Sequence, residues 1–200
     1  MGKLILMRHG ESEANRAKLF AEDDTPLTDL GRQQARAVAE KIAERFHPSV
    51  VVSSTLPRAE ETAQIIAARL GVRLELVSEL QERDFGALKG RSYVHFREWI
   101  AADPTYDPAR PWAWTPEGGE SLEAVQTRVI AALERLRRRH PDEEILVVFH
   151  GAAMQAVCAH LAGAWEGTDI PKNCGVIQLE HTGAGFGAPV VLTDCSVAEG

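Results

Sequence analysis

Apolar and polar positions follow two different periods along this chain. Short aliphatic runs, which are typical of buried strands, are separated by longer stretches in which apolar residues recur every three or four positions, as they do on one face of a helix. The aliphatic runs predict strands at KLILM (3–7), SVVVSS (49–54), VRLEL (72–76) and EILVVF (144–149), followed by edge or antiparallel strands at VIQLEH (176–181) and PVVLTD (189–194).

The helical period predicts helices between these strands. The first follows Thr28, a residue type that caps helix N-termini, and the second begins near Pro57 and ends at Gly71. An amphipathic helix starts at Leu122, and a helix at 152–161 is apolar almost all round, which indicates burial. Strands and helices that alternate in this way predict an α/β three-layer sandwich, with a mostly parallel central sheet and helices on both faces.

We expect residues 1–200 to form a single domain, because this length supports one substantial core. The segment 91–118 interrupts the pattern with four prolines and three tryptophans, Trp99, Trp112 and Trp114, around a short helical piece at 94–100. We interpret this segment as a lid-like insertion, since its apolar periodicity is too weak for independent folding. Its tryptophans either line a substrate site or pack the insertion onto the body.

Composition narrows the classes of function. Hydrophobic residues make up 44% of the chain and charged residues 26%, which is an ordinary globular mixture. The formal net charge of −7 argues against a nucleic-acid or anionic-membrane partner, and no apolar stretch approaches the roughly 18 residues of a membrane span. The apolar stretch before Arg8 is too short for a signal peptide.

Three cysteines, Cys158, Cys174 and Cys195, lack the CxxC spacing of a zinc site. Free thiols fit a reducing compartment, so we expect a cytoplasmic protein without a metal site. The sequence is compatible with a homodimer.

Polar residues collect where three of the predicted strands end. The first strand ends in Arg8-His9-Gly10, the second is followed by SSTLPR, which closes with Arg58, and the fourth ends in His150-Gly151. Ligands bind at the carboxyl ends of strands in open α/β sheets, so neighbouring parallel strands would bring two arginines and two histidines together. Arginine suits phosphate oxygens, helix N-termini favour anions, and the glycines would let backbone approach a ligand closely. The sequence therefore predicts a phosphate pocket on an acidic protein.

A histidine in a phosphate pocket indicates covalent catalysis. A neutral imidazole can attack phosphorus and form a phosphohistidine, and nearby arginines favour the neutral form. The departing alkoxide then needs a proton, which a carboxyl group can donate. Spacing alone does not identify this acid, and five carboxylates stay candidates: Glu11, Glu13, Glu79, Glu82 and Glu120.

Several of these residues also have an ordinary structural interpretation. Arg8 and Arg58 would then form ion pairs with Glu60 or Glu61. Asn15, a polar residue shortly after the first strand, would serve only a local turn.

Six segments resemble, in order, the motifs of the histidine phosphatase superfamily in its phosphoglycerate-mutase-like branch. They are RHGESEAN, DTPLTDLGRQQA, SSTLPRAEETA, LQERDFGALKG, GGESLEAVQTRV and VVFHGAAMQA, and the resemblance spans roughly Leu4 to Gly163. It implies the phosphoglycerate-mutase-like fold and an enzyme that needs no metal and no organic cofactor. It also implies roles for individual residues: His9 as the phosphorylated nucleophile, Arg8, Arg58 and His150 as phosphate ligands with Asn15 beside them, and Glu82 as the proton donor.

The resemblance leaves hydrolysis and phosphoryl transfer to be distinguished. The motif LQERDFGALKG is spelled as in the mutases, and Arg83 matches a substrate-contacting arginine of theirs. However, the mutases carry a longer insertion with an adjacent arginine pair, whereas this chain has the isolated Arg97 and Arg110, and Phe85 replaces their tyrosine. The compact form resembles the phosphatases, which predicts a metal-independent phosphatase of small phosphomonoesters. A phosphoglycerate mutase and an inactive phosphate-binding module are the alternatives, and the substrate stays open.

Overall fold

The computed structural model describes residues 2–166, 171–182 and 185–192. The strands are β1 (Gly2–Arg8), β2 (Val50–Ser53), β3 (Arg73–Leu76), β4 (Glu144–Phe149), β5 (Val176–Thr182), β6 (Gly185–Phe186) and β7 (Val190–Leu192). The α-helices are α1 (Glu13–Ala17), α2 (Asp29–Arg45), α3 (Pro57–Leu70), α4 (Phe96–Ala101), α5 (Leu122–Arg139) and α6 (Gly151–Ala162). Single turns of 3₁₀ helix lie at Ser78–Leu80, Gly86–Leu88, Tyr93–His95 and Pro111–Ala113.

The sheet places the three motif-bearing strands side by side. Its order is β3-β2-β4-β1-β5-β6, and β7 also pairs with β5. Strands β3, β2, β4 and β1 are parallel, so the carboxyl ends of β1, β2 and β4 lie at one edge, as the sequence predicts. Strand β5 is antiparallel to β1, with Val176 opposite Met7. The loop that precedes β5 therefore reaches the same edge.

Helices cover both faces of this sheet. Side chains of successive strand residues point to opposite faces, so Leu4 and Leu6 of β1 pack with α5 and α6, whereas Ile5 and Met7 pack with α2 and α3. Residues 145–149 of β4 are fully buried, as expected for a strand that is covered on both faces. The predicted three-layer α/β sandwich is confirmed.

The helix boundaries follow local residue chemistry. The Thr28 hydroxyl accepts a hydrogen bond from the Gly31 N–H at 3.0 Å and caps α2. Pro57, which lacks an N–H, opens α3, and Gly71 ends it with a φ of +70°, a left-handed conformation that glycine adopts without strain. These boundaries agree with the predicted ones.

Residues 91–118 pack on a third, small apolar cluster, which they share with residues from outside the segment and which is separate from the two clusters on the sheet faces. Phe20, Leu88 and Trp114 are buried at its centre. The Trp114 indole N–H donates to the Asp103 carboxylate at 3.0 Å. The predicted helical piece at 94–100 is confirmed for its larger part by α4.

The last part of the chain agrees with its predictions as far as it is described. VIQLEH forms most of β5, and PVVLTD forms β7 over Val190–Leu192, both in antiparallel pairs. Thr193, Asp194 and Cys195 lie outside the described residues. Cys158 and Cys174 are buried free thiols.

Candidate active site

A cavity of about 210 Å³, which we call the His9 cavity, opens at the carboxyl edge of the sheet. Six of the eight predicted site residues line it: Arg8, His9, Asn15, Arg58, Glu82 and Gly151. His150 lies beside His9, with their ring centroids 5.1 Å apart. Arg83 lines two neighbouring cavities instead. The structure therefore brings together residues from four separate parts of the chain.

His9 is held with one nitrogen occupied and the other available. Its Nδ1 lies 2.6 Å from the Gly10 carbonyl oxygen, and only 3% of the residue is exposed. A carbonyl oxygen can only accept, so Nδ1 carries the proton and Nε2 keeps its lone pair. This is the tautomer that a nucleophilic imidazole requires.

The surroundings of both histidines favour neutral rings. Burial and the positive charges of Arg58 and Arg8 hold the pKa of His9 well below its ordinary value of 6.5. Burial, followed by the charge of Arg58, also lowers the pKa of His150 well below this value. These surroundings therefore favour the neutral form of His9, which is the form in which an imidazole can act as a nucleophile.

These pKa shifts predict that acid weakens the fold. Below pH 6.5 the unfolded chain binds protons on these two histidines that the folded protein does not, so the free energy of unfolding should fall as the pH falls. We expect the urea midpoint of the parent to drop between about pH 7.5 and pH 5.5, and His150→Asn to reduce this drop.

His47→Asn is the matched control, because His47 is exposed in the folded protein. Its drop should equal that of the parent. Equal drops for the parent and His150→Asn would contradict the assignment of a neutral His150.

The two arginines are buried beside the cavity and are not in ion pairs with Glu60 or Glu61. Arg58 is 2% exposed, and its Nη1 donates to the Glu22 carbonyl oxygen at 3.2 Å. Arg8 donates through Nη1 to the Pro171 carbonyl oxygen at 3.3 Å, while its buried Nε has no partner among the described residues. Burial lowers the pKa of both guanidinium groups, and the negative charge of Glu82 opposes this. Buried cations with donors to spare suit a bound anion.

His150 completes this polar group. It occupies the N-cap position of α6, but its side chain makes no capping bond. Its Nε2 lies 2.8 Å from the Ser54 hydroxyl, and its buried Nδ1 has no partner within the described part of the chain. Sequence reasoning missed Ser54 as the group that orients this ring, although its place directly after β2 was a usable signal.

Of the five candidate acids, Glu82 is the one that lines the His9 cavity. Its carboxylate lines the His9 cavity and accepts hydrogen bonds from the N–H groups of Ala152 and Ala153, at 3.2 and 3.1 Å, in the first turn of α6. All four of the other candidate acids have partners elsewhere. Glu11 accepts from Thr28, Glu13 pairs with Arg16, Glu79 pairs with Arg135, and Glu120 pairs with Arg128.

Asn15 lines the His9 cavity and also makes the local contacts that its structural interpretation predicts. Its Oδ1 accepts from the backbone N–H and the hydroxyl of Ser12, which caps α1. The same oxygen accepts from Asn173 Nδ2, which also donates to the His9 carbonyl oxygen, each at 3.0 Å. Sequence reasoning missed Asn173, which links the backbone of His9 to α1.

Two further residues from the sequence analysis, Arg83 and Gly10, make close contacts with protein backbone. Arg83 Nε donates to the Glu120 carbonyl oxygen at 2.8 Å and its Nη2 to the Trp114 carbonyl oxygen at 2.9 Å, so this residue holds backbone around residues 91–118. A side chain at Gly10 would lie 2.5 Å from the Gly31 carbonyl oxygen. Gly10 thus lets β1 approach the start of α2, which is protein backbone and not a ligand.

Within residues 2–166, 171–182 and 185–192, no group of three His, Cys, Asp or Glu side chains is placed to hold a metal ion. Over the same residues, none of the helices has the length and apolar character that crossing a membrane requires.

Comparison with known proteins gives matches over nearly the whole chain. The sequence model of the histidine phosphatase superfamily (branch 1) matches residues 4–191, beyond the predicted limit at Gly163. Phosphoglycerate mutase-like protein 4 of Arabidopsis thaliana is 38% identical over 159 residues, which cover 78% of this chain and 69% of that protein.

Two further matches are to phosphatases. Glucosyl-3-phosphoglycerate phosphatase of Mycolicibacterium vanbaalenii is 34% identical over 209 aligned residues, covering 96% of this chain and 90% of that protein. The solved structure of a mycobacterial glucosyl-3-phosphoglycerate phosphatase with VO₃ has a TM-score of 0.80 and 26% identity, covering 94% of this chain and 96% of that one.

Proposed function

The chain belongs to the histidine phosphatase superfamily (branch 1), and on that premise we propose that it is a metal-independent phosphatase that hydrolyses small phosphomonoesters through a phosphohistidine at His9. The observation that carries this proposal is the His9 cavity, where a neutral imidazole with its Nε2 lone pair available lies among two buried guanidinium groups and one carboxyl group. These are the nucleophile, the phosphate ligands and the proton donor that the reaction needs.

The first step transfers the phosphoryl group to the enzyme. Nε2 of His9 forms a bond to phosphorus while the bond between phosphorus and the leaving oxygen breaks, and Glu82 gives its proton to that oxygen. Arg8, Arg58 and His150 bind the equatorial oxygens, on which negative charge collects. The alcohol then leaves.

The second step regenerates the enzyme. Water attacks phosphorus while the bond between phosphorus and Nε2 breaks, and Glu82 accepts a proton from the water. Inorganic phosphate leaves, and His9 is neutral again. Glu82 thus acts as acid and then as base.

A mutase would have to retain a phosphorylated carboxylic acid for transfer back. Arg83, which matches a substrate-contacting arginine of the mutases, donates two of its hydrogen bonds to the Glu120 and Trp114 carbonyl oxygens. This favours the phosphatase. The similarity to phosphoglycerate mutase-like protein 4 keeps phosphoglycerate mutase as the second candidate.

Two measurements test the proposed function. We expect the protein to hydrolyse p-nitrophenyl phosphate in excess EDTA at the rate seen without EDTA, since no step uses a metal ion. Loss of turnover with EDTA would contradict the mechanism, and a protein that binds phosphate without turnover would be the inactive module.

A second assay separates the phosphatase from the mutase. With 3-phosphoglycerate, a phosphatase releases inorganic phosphate and needs no bisphosphoglycerate. Isomerisation that depends on bisphosphoglycerate, without net release of phosphate, would identify the mutase.

Location and the role of the insertion belong to the same proposal. The buried free thiols of Cys158 and Cys174 fit a reducing compartment, so we place the enzyme in the cytoplasm.

Residues 91–118 serve as a lid within one domain, because Tyr93 lines the His9 cavity while Trp112 and Trp114 line the space next to it.

A further inference from the structure

A second cavity adjoins the His9 cavity, and we call it the aromatic cavity. Its volume is about 380 Å³, within the roughly 300–1,000 Å³ of small-ligand sites. Phe20, Phe85, Ala152 and Gln155 line both cavities. A phosphomonoester with its phosphate at His9 therefore has room for its leaving group here.

The walls of the aromatic cavity are flat and apolar. Trp112 and Trp165 stack with their ring centroids 5.8 Å apart and their planes 6° apart. Phe96 meets Trp114 edge to face, also at 5.8 Å between centroids. A flat apolar group that lies against such rings removes apolar surface from water, which favours its binding.

The charges around the aromatic cavity do not suit an acidic leaving group. Of the described residues that line it, only Arg83 and Glu166 are charged. Two donors of Arg83 are bound to backbone carbonyl oxygens, and burial lowers the pKa of Arg83 to about 10. Glu166 would repel a carboxylate.

A third cavity, of about 480 Å³, also adjoins the His9 cavity through Arg58 and Glu82. Apart from Arg58, which binds the phosphate in the proposed function, and Arg83, its cations are paired with acids. Lys89 contacts the carboxylates of Asp23 and Asp84, and Arg128 pairs with Glu120. Once Arg58 holds the phosphate, the remaining cations of this polar cavity are bound to acids or to backbone carbonyl oxygens, and it has no aromatic wall among the described residues.

We propose that the leaving group of the substrate is an uncharged planar group that stacks in the aromatic cavity, so that the enzyme prefers aryl-bearing phosphomonoesters to phosphorylated carboxylic acids. This inference rests on the proposed function, because it places the phosphate at His9. It names a substrate class that the family membership leaves open.

A series of alkyl phosphates tests this preference. Their alkoxide leaving groups have similar basicity, so differences in kcat/KM report on how the rest of the leaving group binds. We expect kcat/KM to rise at least about 10-fold from ethyl phosphate to 2-phenylethyl phosphate. Kcat/KM should fall again for 2-(4-carboxyphenyl)ethyl phosphate. A preference for the carboxylate, or for phosphoserine or 3-phosphoglycerate over 2-phenylethyl phosphate, would overturn the proposal.

Two tryptophan variants locate the effect. Trp112→Ala should lower kcat/KM for 2-phenylethyl phosphate about 10-fold while ethyl phosphate changes little. Trp99→Ala is the matched control, because Trp99 belongs to the same insertion but does not line the aromatic cavity. Equal losses on both substrates, or equal losses in both variants, would contradict the assignment.

Binding measurements keep this test independent of turnover. In 3-phenylpropylphosphonate and propylphosphonate, a methylene group replaces the bridging oxygen of the two substrates. Calorimetry should show that the aryl compound binds about 10-fold more tightly than the alkyl compound. Trp112→Ala should remove this difference. If the aryl compound binds in this way but no phosphomonoester is hydrolysed, the proposed function fails and the aromatic site stands. If p-nitrophenyl phosphate is hydrolysed but aryl and alkyl compounds bind equally, the aromatic site fails alone.

Discussion

His9→Ala is expected to lower kcat/KM for p-nitrophenyl phosphate by a factor on the order of 10⁴–10⁶, because the reaction loses its nucleophile. Water would have to attack phosphorus directly, and alanine keeps neither the lone pair nor the ring. The fold should survive, since the described contacts of this side chain are one hydrogen bond to Gly10 and ring contact with His150.

A trapping experiment shows whether the ring itself carries the phosphoryl group. Brief exposure of the parent to a ³²P-labelled phosphomonoester, followed by denaturation in alkali, should leave label that is lost in acid, as a phosphorus–nitrogen bond requires. His9→Ala should carry no label. Label that is stable to acid, as on a serine, or label that persists in His9→Ala, would show that another residue is the nucleophile.

His47→Ala is the matched control for this variant. His47 is exposed and lies outside the His9 cavity, so both turnover and labelling should equal those of the parent. Thermal melting of both variants separates loss of chemistry from loss of fold. Unchanged turnover in a folded His9→Ala protein would exclude covalent catalysis at His9, and another side chain or water would then have to attack phosphorus.

The fold could be predicted because its signals are local. Aliphatic runs marked the strands, Thr28 and Gly71 marked helix ends, and the continuous burial of 145–149 followed from an unbroken apolar run. The meeting of Arg8, Arg58 and His150 followed from topology, since parallel neighbouring strands end at one edge. The sequence alone did not select Glu82 among five acids, and the family resemblance was needed for that.

The residues that the sequence analysis missed depend on contacts between distant parts of the chain, which a local sequence pattern does not reveal. Asn173 lies before β5, and only the antiparallel pairing of β5 with β1 brings it next to His9. The closeness of Gly10 to Gly31 is likewise a tertiary contact between β1 and α2. Arg83 was assigned to substrate by resemblance, whereas its geometry ties it to the carbonyl oxygens of Glu120 and Trp114. Long side chains with several possible partners are the hardest to assign from sequence.

Glu82→Gln is expected to lower kcat/KM for 2-phenylethyl phosphate by about 10²–10⁴-fold, because a poor alkoxide leaving group then departs without a proton. The loss should be far smaller for p-nitrophenyl phosphate, since p-nitrophenolate leaves at neutral pH without protonation. This difference between two leaving groups is the signature of a general acid.

A purely structural role for Glu82 would give a different result. Its carboxylate receives the N–H groups of Ala152 and Ala153, and a glutamine would turn its NH₂ group towards one of them, so α6 could shift in this variant. A displaced helix would slow both substrates by the same factor, because it would disturb the His9 cavity whatever the leaving group. Glu79→Gln is the matched control, since Glu79 is exposed in part and pairs with Arg135 away from His9.

The ratio of the two losses therefore decides the role of Glu82. A ratio well above one in a Glu82→Gln protein that melts like the parent supports proton donation, and Glu79→Gln should leave both rates unchanged. A ratio near one would mean that Glu82 only anchors the first turn of α6. The proton would then have to come from solvent or from another acid, and the step in which Glu82 accepts a proton from water would fall with it.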